Sequence, residues 1–356
     1  MRVFITGICG FVGNAIATWL RLHDSTIHAS GLDNFLRPGS ETNRLRLKAL
    51  GVTVQHGDVR QPSDFEDLPA ADWIIDAAAN PSVLAGVDGI TSTRRLVEHN
   101  LLGTINVLEY GKRTRAGLVL LSTSRVYSLS ALASLPMTVR DEAFCLNEQS
   151  TLPRGVSRRG VTTEFSTEPP VSLYGSTKLA SEILALEYAD TFHTPLWINR
   201  CAVLGGGGQF GTAEQGVFSY WIHAYAAKRP LRYIGFKGTG YQVRDLLHPE
   251  DLAALIFAQM KNTSAGSNRV LNVGGGPGNA ISLARLTAWC SQHFGEHRVS
   301  SDPTPRPFDI PWFVTDSSQA AETFNWQPRR TLTSILDEIA EHARDNPSWL
   351  DMTSSV

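Results

Sequence analysis

Tyr174 and Lys178 stand four residues apart in Tyr174-Gly175-Ser176-Thr177-Lys178. On a helix that spacing puts both side chains on one face. A free tyrosine ionises near pH 10 and is a weak base at neutral pH, but a neighbouring ammonium favours the phenolate. Lowering the phenol pKa by about three units takes roughly 4 kcal/mol of differential stabilisation. The pair therefore reads as a general base for an alcohol hydroxyl, with Tyr174 taking the proton and Lys178 tuning it. With eight tyrosines and six lysines in 356 residues, such a pair is uncommon by chance. A run of hydroxyl residues, Ser122-Thr123-Ser124, lies upstream in Ser122-Thr123-Ser124-Arg125-Val126-Tyr127. A hydroxyl here would share a hydrogen bond with Tyr174 and a substrate oxygen. Any of the three meets that need; for each the alternative is capping of local backbone.

A second set of residues suits a dinucleotide. Gly7, Gly10 and Gly13 form GxxGxxG, together with Phe11 and Val12. The glycines follow an apolar run, Val3-Phe4-Ile5, and open a helical pattern. Glycine there permits a tight turn and lets backbone approach a pyrophosphate at a helix N-terminus. Asp33, 20 residues after Gly13, is placed to hydrogen-bond an adenosine ribose diol, and its charge repels a 2′-phosphate. NAD is thus expected over NADP, with Arg37 the one nearby residue that argues the other way. Asp58 is placed to contact adenine or to serve a plain turn. Ala77, Ala78 and Ala79 offer small side chains to a close-lying cofactor or to sheet–helix packing.

These residues need a frame. Strands are expected at Val3–Ile5, Ile27–Leu32, Val52–His56, Trp73–Ala77, Leu118–Leu121 and Leu196–Asn199, alternating with helices. Ser40 is expected to cap a helix over Glu41–Leu50. Long helices are expected at Arg94–Arg113 and Tyr174–Phe192. The alternation predicts an α/β fold, a doubly wound parallel sheet. The pattern loosens after Gly205 into a smaller lobe, with helices at Ser282–His293 and Leu332–Ala343. The tail from Asp345 is expected to fray. Residues 128–171 show weak periodicity and leave a sheet strand at its carboxyl end, where such folds bind ligands. They are expected to form an active-site insert, with Arg154, Arg158 and Arg159 available to a ligand.

Composition narrows the class. Hydrophobic residues make up 42% and charged residues 19%, as in a folded soluble domain. The formal net charge is −2 with no long basic run, which disfavours a nucleic-acid binder. Cys9, Cys145, Cys201 and Cys290 are widely spaced, with no metal or disulfide pattern, so no metal is expected and a cytoplasmic location is. No run of apolar residues is long enough to cross a membrane, and no signal-peptide pattern is seen.

In order and type, the glycine loop, Asp33, Asp58, the Thr123-x-x-x-Tyr127 stretch and Tyr174-x-x-x-Lys178 resemble the extended short-chain dehydrogenase/reductase family of nucleotide-sugar epimerases and dehydratases. The resemblance runs from about residue 1 to 343. Within the family the chain is similar to the CDP-paratose (CDP-tyvelose) 2-epimerase group. The residues that carry this are Asp33-Asn34-Phe35, Gly39-Ser40-Glu41-Thr42-Asn43-Arg44, Ala78-Ala79-Asn80-Pro81-Ser82-Val83, Gln209-Phe210-Gly211, Gln242-Val243-Arg244-Asp245 and Asn272-Val273-Gly274-Gly275-Gly276. The resemblance implies a Rossmann-type domain over residues 1–204 and a C-terminal α/β substrate lobe over 205–344. It implies bound NAD, with Asn34, Val59, Asn100, Ser122 and Cys201 also near the cofactor, and Thr123 as the catalytic hydroxyl. It implies a nucleotide diphosphate sugar as substrate, held by Arg244, Arg306 and Asp309, with Asn80, Ser124 and Gln209 beside it. A homodimer is implied as well. For Arg244 the alternative is an ion pair with Asp245 or Glu250.

Two departures bear on the reaction. Many relatives carry an asparagine just after the sixth strand, where this chain has Arg200-Cys201-Ala202-Val203. Dehydratases of the family carry Asp-Glu after the catalytic threonine, where this chain has Ser124-Arg125. The expected activity is an NAD-dependent epimerase acting through a keto-sugar at C2. The alternatives are a C4 epimerase, a dehydratase or reductase, and a non-catalytic NAD-sensing regulator.

Overall fold

In the computed structural model, residues 1–87, 89, 92–262 and 268–354 are described. The short apolar runs form one seven-stranded, all-parallel sheet. Its strands are β1 (Arg2–Thr6), β2 (His28–Asp33), β3 (Thr53–His56), β4 (Trp73–Asp76), β5 (Gly117–Thr123), β6 (Leu196–Cys201) and β7 (Val270–Val273). Their order across the sheet is β7-β6-β5-β4-β1-β2-β3. The strand order reverses between β1 and β4, so a crevice opens over their carboxyl ends. Strand β4, Trp73-Ile74-Ile75-Asp76, is buried throughout because helices cover both sheet faces.

Helix α1 (Phe11–His23) buries Ile16, Ala17 and Leu20 against the core, while Val12 and Trp19 are only partly buried. Helix α2 (Ser172–Phe192) carries Tyr174 and Lys178. The long helix expected at Arg94–Arg113 is interrupted: residues Glu98–Leu102 form a π-turn between Thr93–Val97 and Gly103–Thr114. Such turns widen a helix locally and often occur at functional sites; here the turn presents Asn100 to the neighbouring loop.

After β6 the chain builds a second lobe. Val203–Leu204, Val243–Leu247, Ala280–Ser282 and Trp312–Phe313 make a small sheet. Helices Val217–Ala226, Leu283–Phe294 and Leu332–Asp345 close a core containing Trp221, Ile222, Leu286, Ile335 and Ile339. Ser282 caps its helix, accepting from the Arg285 N–H at 3.2 Å. The chain also returns to the first layer: helix α3 (Pro249–Lys261) packs on α1, and β7 extends the sheet beside β6. No helix among the described residues is long and apolar enough to cross a membrane.

Three expectations fail. Ser40 caps no helix; the helix is Thr42–Ala49, and the buried Ser40 hydroxyl has no partner among the described residues. Residues 128–171 do not line the cleft. They form the helix Leu129–Ala133 and two small hairpins, whose Leu132, Val161 and Phe165 pack with Val243, Trp312 and Phe313 of the second lobe. Apolar side chains hidden by weak periodicity thus make this insert a brace. Its arginines face outward: Arg154 lies 3.5 Å from Glu164, Arg158 donates to the Glu148 carbonyl and Arg159 to the Ser318 hydroxyl. The tail is not frayed as far as Ser354; residues 355 and 356 lie outside the described residues. Trp349–Ser354 form a helix, Leu350 is 3% exposed, and the Trp349 ring stacks on Phe210 at 5.5 Å. The Trp349 indole N–H also donates to the Gln209 carbonyl at 2.9 Å, and Arg229 pairs with Asp351 at 2.7 Å.

Leu350→Ala is expected to lower unfolding stability by about 2–4 kcal/mol, the range for deleting a buried leucine side chain. Denaturant unfolding checks this; an unchanged midpoint is the result a frayed tail would give.

Candidate active site

Strand–helix turns at the carboxyl ends of β1, β4, β5 and β6 converge on a cleft of about 940 Å³. Gly7, Gly10, Phe11, Val12 and Gly13 form its floor at the start of α1. Gly7 has φ +63°, and a side chain there would press on the Ala78 Cα at 3.0 Å. A Cβ on Gly13 would overlap the Gly7 carbonyl. The glycines therefore let the turn pack tightly against the wall after β4 and against the start of α1, whose N-terminus has no side-chain cap.

Asp33 ends β2 at the cleft and accepts from the Cys9 N–H at 2.9 Å and the Phe35 N–H at 2.8 Å. Burial pushes its pKa up, and these N–H groups oppose that push. Asn34 and Val59 line the cleft; Asp58 does not. The Asp58 carboxylate is taken by Arg60 at 2.6 Å and by the Asn34 amide at 2.9 Å. Ala77, Ala78, Ala79 and Asn80 form the wall after β4. Thr6 fixes this wall: its hydroxyl accepts from Ala77 and Ala78 N–H at 3.1 and 3.0 Å and donates to Asp76 at 2.7 Å. Asn100 stands behind the wall. Its carbonyl accepts from the Asn80 N–H at 2.8 Å, and its amide donates to the Asn80 carbonyl at 3.0 Å and to Thr177 at 3.1 Å.

Thr123, Ser124, Tyr174, Lys178 and Cys201 meet at the far end. Of the three hydroxyls, Thr123 is the one that faces the Tyr174 phenol. Ser122 also lines the cleft, but its hydroxyl donates to Glu182. Burial pushes the Tyr174 phenol up to about 12, against a lowering by the Thr123 hydrogen bond. Burial pulls Lys178 down, and Asp76, Cys201 and Glu182 oppose it. The Cys201 thiol is pushed up to about 12 by burial, which keeps it protonated at neutral pH.

The opposite wall comes from the second lobe. Gln209, Arg244, Arg306 and Asp309 all line it. Arg244 pairs with Asp309 at 2.8 Å and with neither Asp245 nor Glu250. Asp245 is buried and accepts from the Gly276 N–H at 3.0 Å. Arg306 donates to the Ala213 carbonyl at 3.3 Å.

The sequence reading missed several cleft residues: Ser40, His99, Arg125 and Gln242. Gln242 precedes Arg244 by two, and strand alternation places both on one face, a usable signal. Arg125 carried none. The Ser40 hydroxyl, His99 Nε2, and the Gln209 and Gln242 carbonyl oxygens are buried without a partner among the described residues. Polar atoms in that state suit a polar ligand that would satisfy them. Among the described residues there is no cluster suited to a metal ion.

Comparison with known proteins agrees with this geometry. The chain is 27% identical to a CDP-paratose 2-epimerase of Salmonella typhi over 337 residues, covering 92% of this chain and 95% of that one. It is 26% identical to a dTDP-glucose 4,6-dehydratase of Streptomyces antibioticus over 357 residues, covering 98% and 94%. The fold matches the crystal structure of a UDP-glucuronic acid 4-epimerase from Bacillus cereus, in complex with UDP-glucuronic acid and NAD. That match has a TM-score of 0.75 and 22% identity, covering 97% of this chain and 99% of that one. A sequence profile of one family covers residues 3–274, most of the sheet and all of the cleft's first wall. The chain belongs to the NAD dependent epimerase/dehydratase family.

Proposed function

We propose that this protein is an NAD-dependent nucleotide-sugar epimerase that acts through a keto-sugar, at C2 of the sugar. The observation that carries the reading is the meeting of Thr123, Tyr174 and Lys178 at one end of a cleft whose other end is a glycine cradle. The residues present fit NAD. The bare α1 N-terminus suits a pyrophosphate, Asp33 a ribose diol, and the three alanines leave room for a flat ring. Lys178, which lines the cleft beside Tyr174, would hold the nicotinamide ribose. When bound, NAD supplies the hydride acceptor and donor and a positive charge close to Tyr174.

The chain's own residues do the rest. Thr123 holds the reacting oxygen by sharing a hydrogen bond with Tyr174. Tyr174 takes the hydroxyl proton as the sugar carbon is oxidised, and returns it after the ketone has presented its other face. Burial by itself makes the phenol a weaker acid, so this role requires the neighbouring positive charges to oppose it. Gln209, Arg244 and Arg306 hold the nucleotide diphosphate. Asp309 and the Val243 and Ile310 carbonyls orient Arg244, which would offer its remaining Nε–H and Nη1–H donors to phosphate oxygens. Elimination of water needs an acid and a base beside the threonine, and this chain has Ser124 and Arg125 there. That supports epimerisation over dehydration. The 2-epimerase likeness and the motifs shared with that group support C2. A homodimer is part of the proposal, supported by Val97, Leu102 and Ile183, which are exposed on adjoining helices.

Tyr174→Phe keeps the ring and removes only the ionisable oxygen. Turnover is expected to fall by roughly 10²–10⁴-fold with NAD still bound; near-native turnover would remove Tyr174 from its role. Titrating both cofactors into cofactor-free protein should show tighter binding of NAD than NADP, and equal affinities would contradict the part given to Asp33. Incubation with CDP-, UDP- and dTDP-sugars, followed by NMR of the products, should show inversion at C2 with no net loss of water. Inversion at C4, or a 4-keto-6-deoxy product, would replace the proposed reaction by that one.

A further inference from the structure

Arg125 lies two residues past Thr123 in the one-turn helix Ser124–Val126. Its N–H donates to the Thr123 hydroxyl at 3.2 Å. Its carbonyl packs against Gly175, the residue after Tyr174, so closely that any side chain at 175 would overlap it. Its guanidinium reaches the second lobe and donates to the Phe308 carbonyl at 3.1 Å. Phe308 has φ +59°, an uncommon conformation for a bulky residue. That carbonyl is therefore set by the Arg306–Asp309 loop. Arg125 is thus fixed at three points around the phenol: the hydroxyl beside it, the helix that carries it and the facing lobe.

Its charge is not balanced. Among the described residues no carboxylate forms an ion pair with Arg125, and Asp309, which attracts it from farther off, is held by Arg244 at 2.8 Å. Arg244 and Arg306 repel it. The groups that face Tyr174 are Thr123 from β5, Cys201 from β6 and Arg125, with Lys178 one turn further along α2. Lys178 has Asp76 and Glu182 to offset its charge. Arg125 has no carboxylate in contact, only the more distant Asp309, so its positive charge still acts on the phenol, in the direction of proton loss.

We propose that Arg125 is a positioning residue for Tyr174: held between the two lobes, its guanidinium supplies a fixed positive charge that favours proton loss from the phenol. The proposal rests on the reading of Tyr174 as the base. It also gives the docking of the second lobe a consequence, since the Phe308 carbonyl sets where the charge sits.

The test compares Arg125→Gln and Arg125→Lys with the parent, each purified with NAD bound. Ionisation of Tyr174 is read from tyrosinate absorbance, as the difference between each protein and its Tyr174→Phe counterpart, with circular dichroism to confirm folding. Arg125→Gln should move the Tyr174 midpoint up by about one pH unit, and Arg125→Lys should restore it. An unchanged midpoint in Arg125→Gln overturns the proposal. With sugar nucleotide, kcat of Arg125→Gln at pH 7 should fall about tenfold and recover as pH rises, for a shift of one unit. A loss of kcat that is equal at every pH marks a structural role and overturns the proposal as well. A shifted midpoint in proteins that turn over no sugar nucleotide upholds the charge effect and overturns the epimerase reading instead.

Discussion

The buried ion pair between Glu182 and Arg200, at 2.7 Å, holds the working parts in register. Glu182 lies one turn beyond Lys178 and two beyond Tyr174, on the same side of α2. Its carboxylate accepts from Arg200 of β6 and from the Ser122 hydroxyl of β5. Ser122 and Arg200 directly precede Thr123 and Cys201, so one carboxylate ties the helix that carries Tyr174 to both strands that face it. Arg200 reaches further, to the Tyr127 hydroxyl at 3.3 Å, and Tyr127 donates to Asn272 of β7 at 2.5 Å. Desolvation makes such a pair a modest net source of stability, whereas removing one partner costs about 3–5 kcal/mol. Its value here is placement.

The same logic runs through the first wall. Asp76 accepts from Thr6 and from Thr104 at 3.0 Å, which locks β4 to β1 and to the helix beyond it. From that position its charge also supports the Lys178 ammonium against burial. A carboxylate at the switch point of the sheet thus shapes the alanine wall and opposes the effect of burial on the Lys178 ammonium. Asn100, lifted by the π-turn, joins this wall to α2 through Asn80 and Thr177.

The second lobe is held to the first by more than the chain crossing. The insert at 128–171 shares a core with Val243, Trp312 and Phe313, and its Val161 N–H donates to the Val314 carbonyl at 2.8 Å. The strand bearing Arg244 therefore rests on a brace that leaves β5 beside Thr123. At the other end, Arg37 donates to the Phe210 backbone carbonyl, and Trp349 of the tail stacks on the Phe210 ring. The cleft is bounded by two lobes whose contacts are set at both ends.

Residue types at short spacing were enough to bring out the alternating α/β pattern, the glycine cradle with Asp33, and the Tyr174–Lys178 pair, because each is a local pattern on one strand, turn or helix. Local spacing could not choose among Ser122, Thr123 and Ser124. That choice depends on Glu182, 60 residues away, which draws the Ser122 hydroxyl aside and leaves Thr123 to the phenol. Nor could it seat Asp58, Asn100 or Ser40, whose side chains answer to partners, or to a lack of them, set by packing. The insert and the tail read as a loop and a frayed end because their few apolar residues follow no period; only the assembled second lobe supplies the surface that buries them. Arg125 shows the same limit from the other side: its place in the sequence is unremarkable, and the unbalanced charge beside Tyr174 exists only because two lobes meet there.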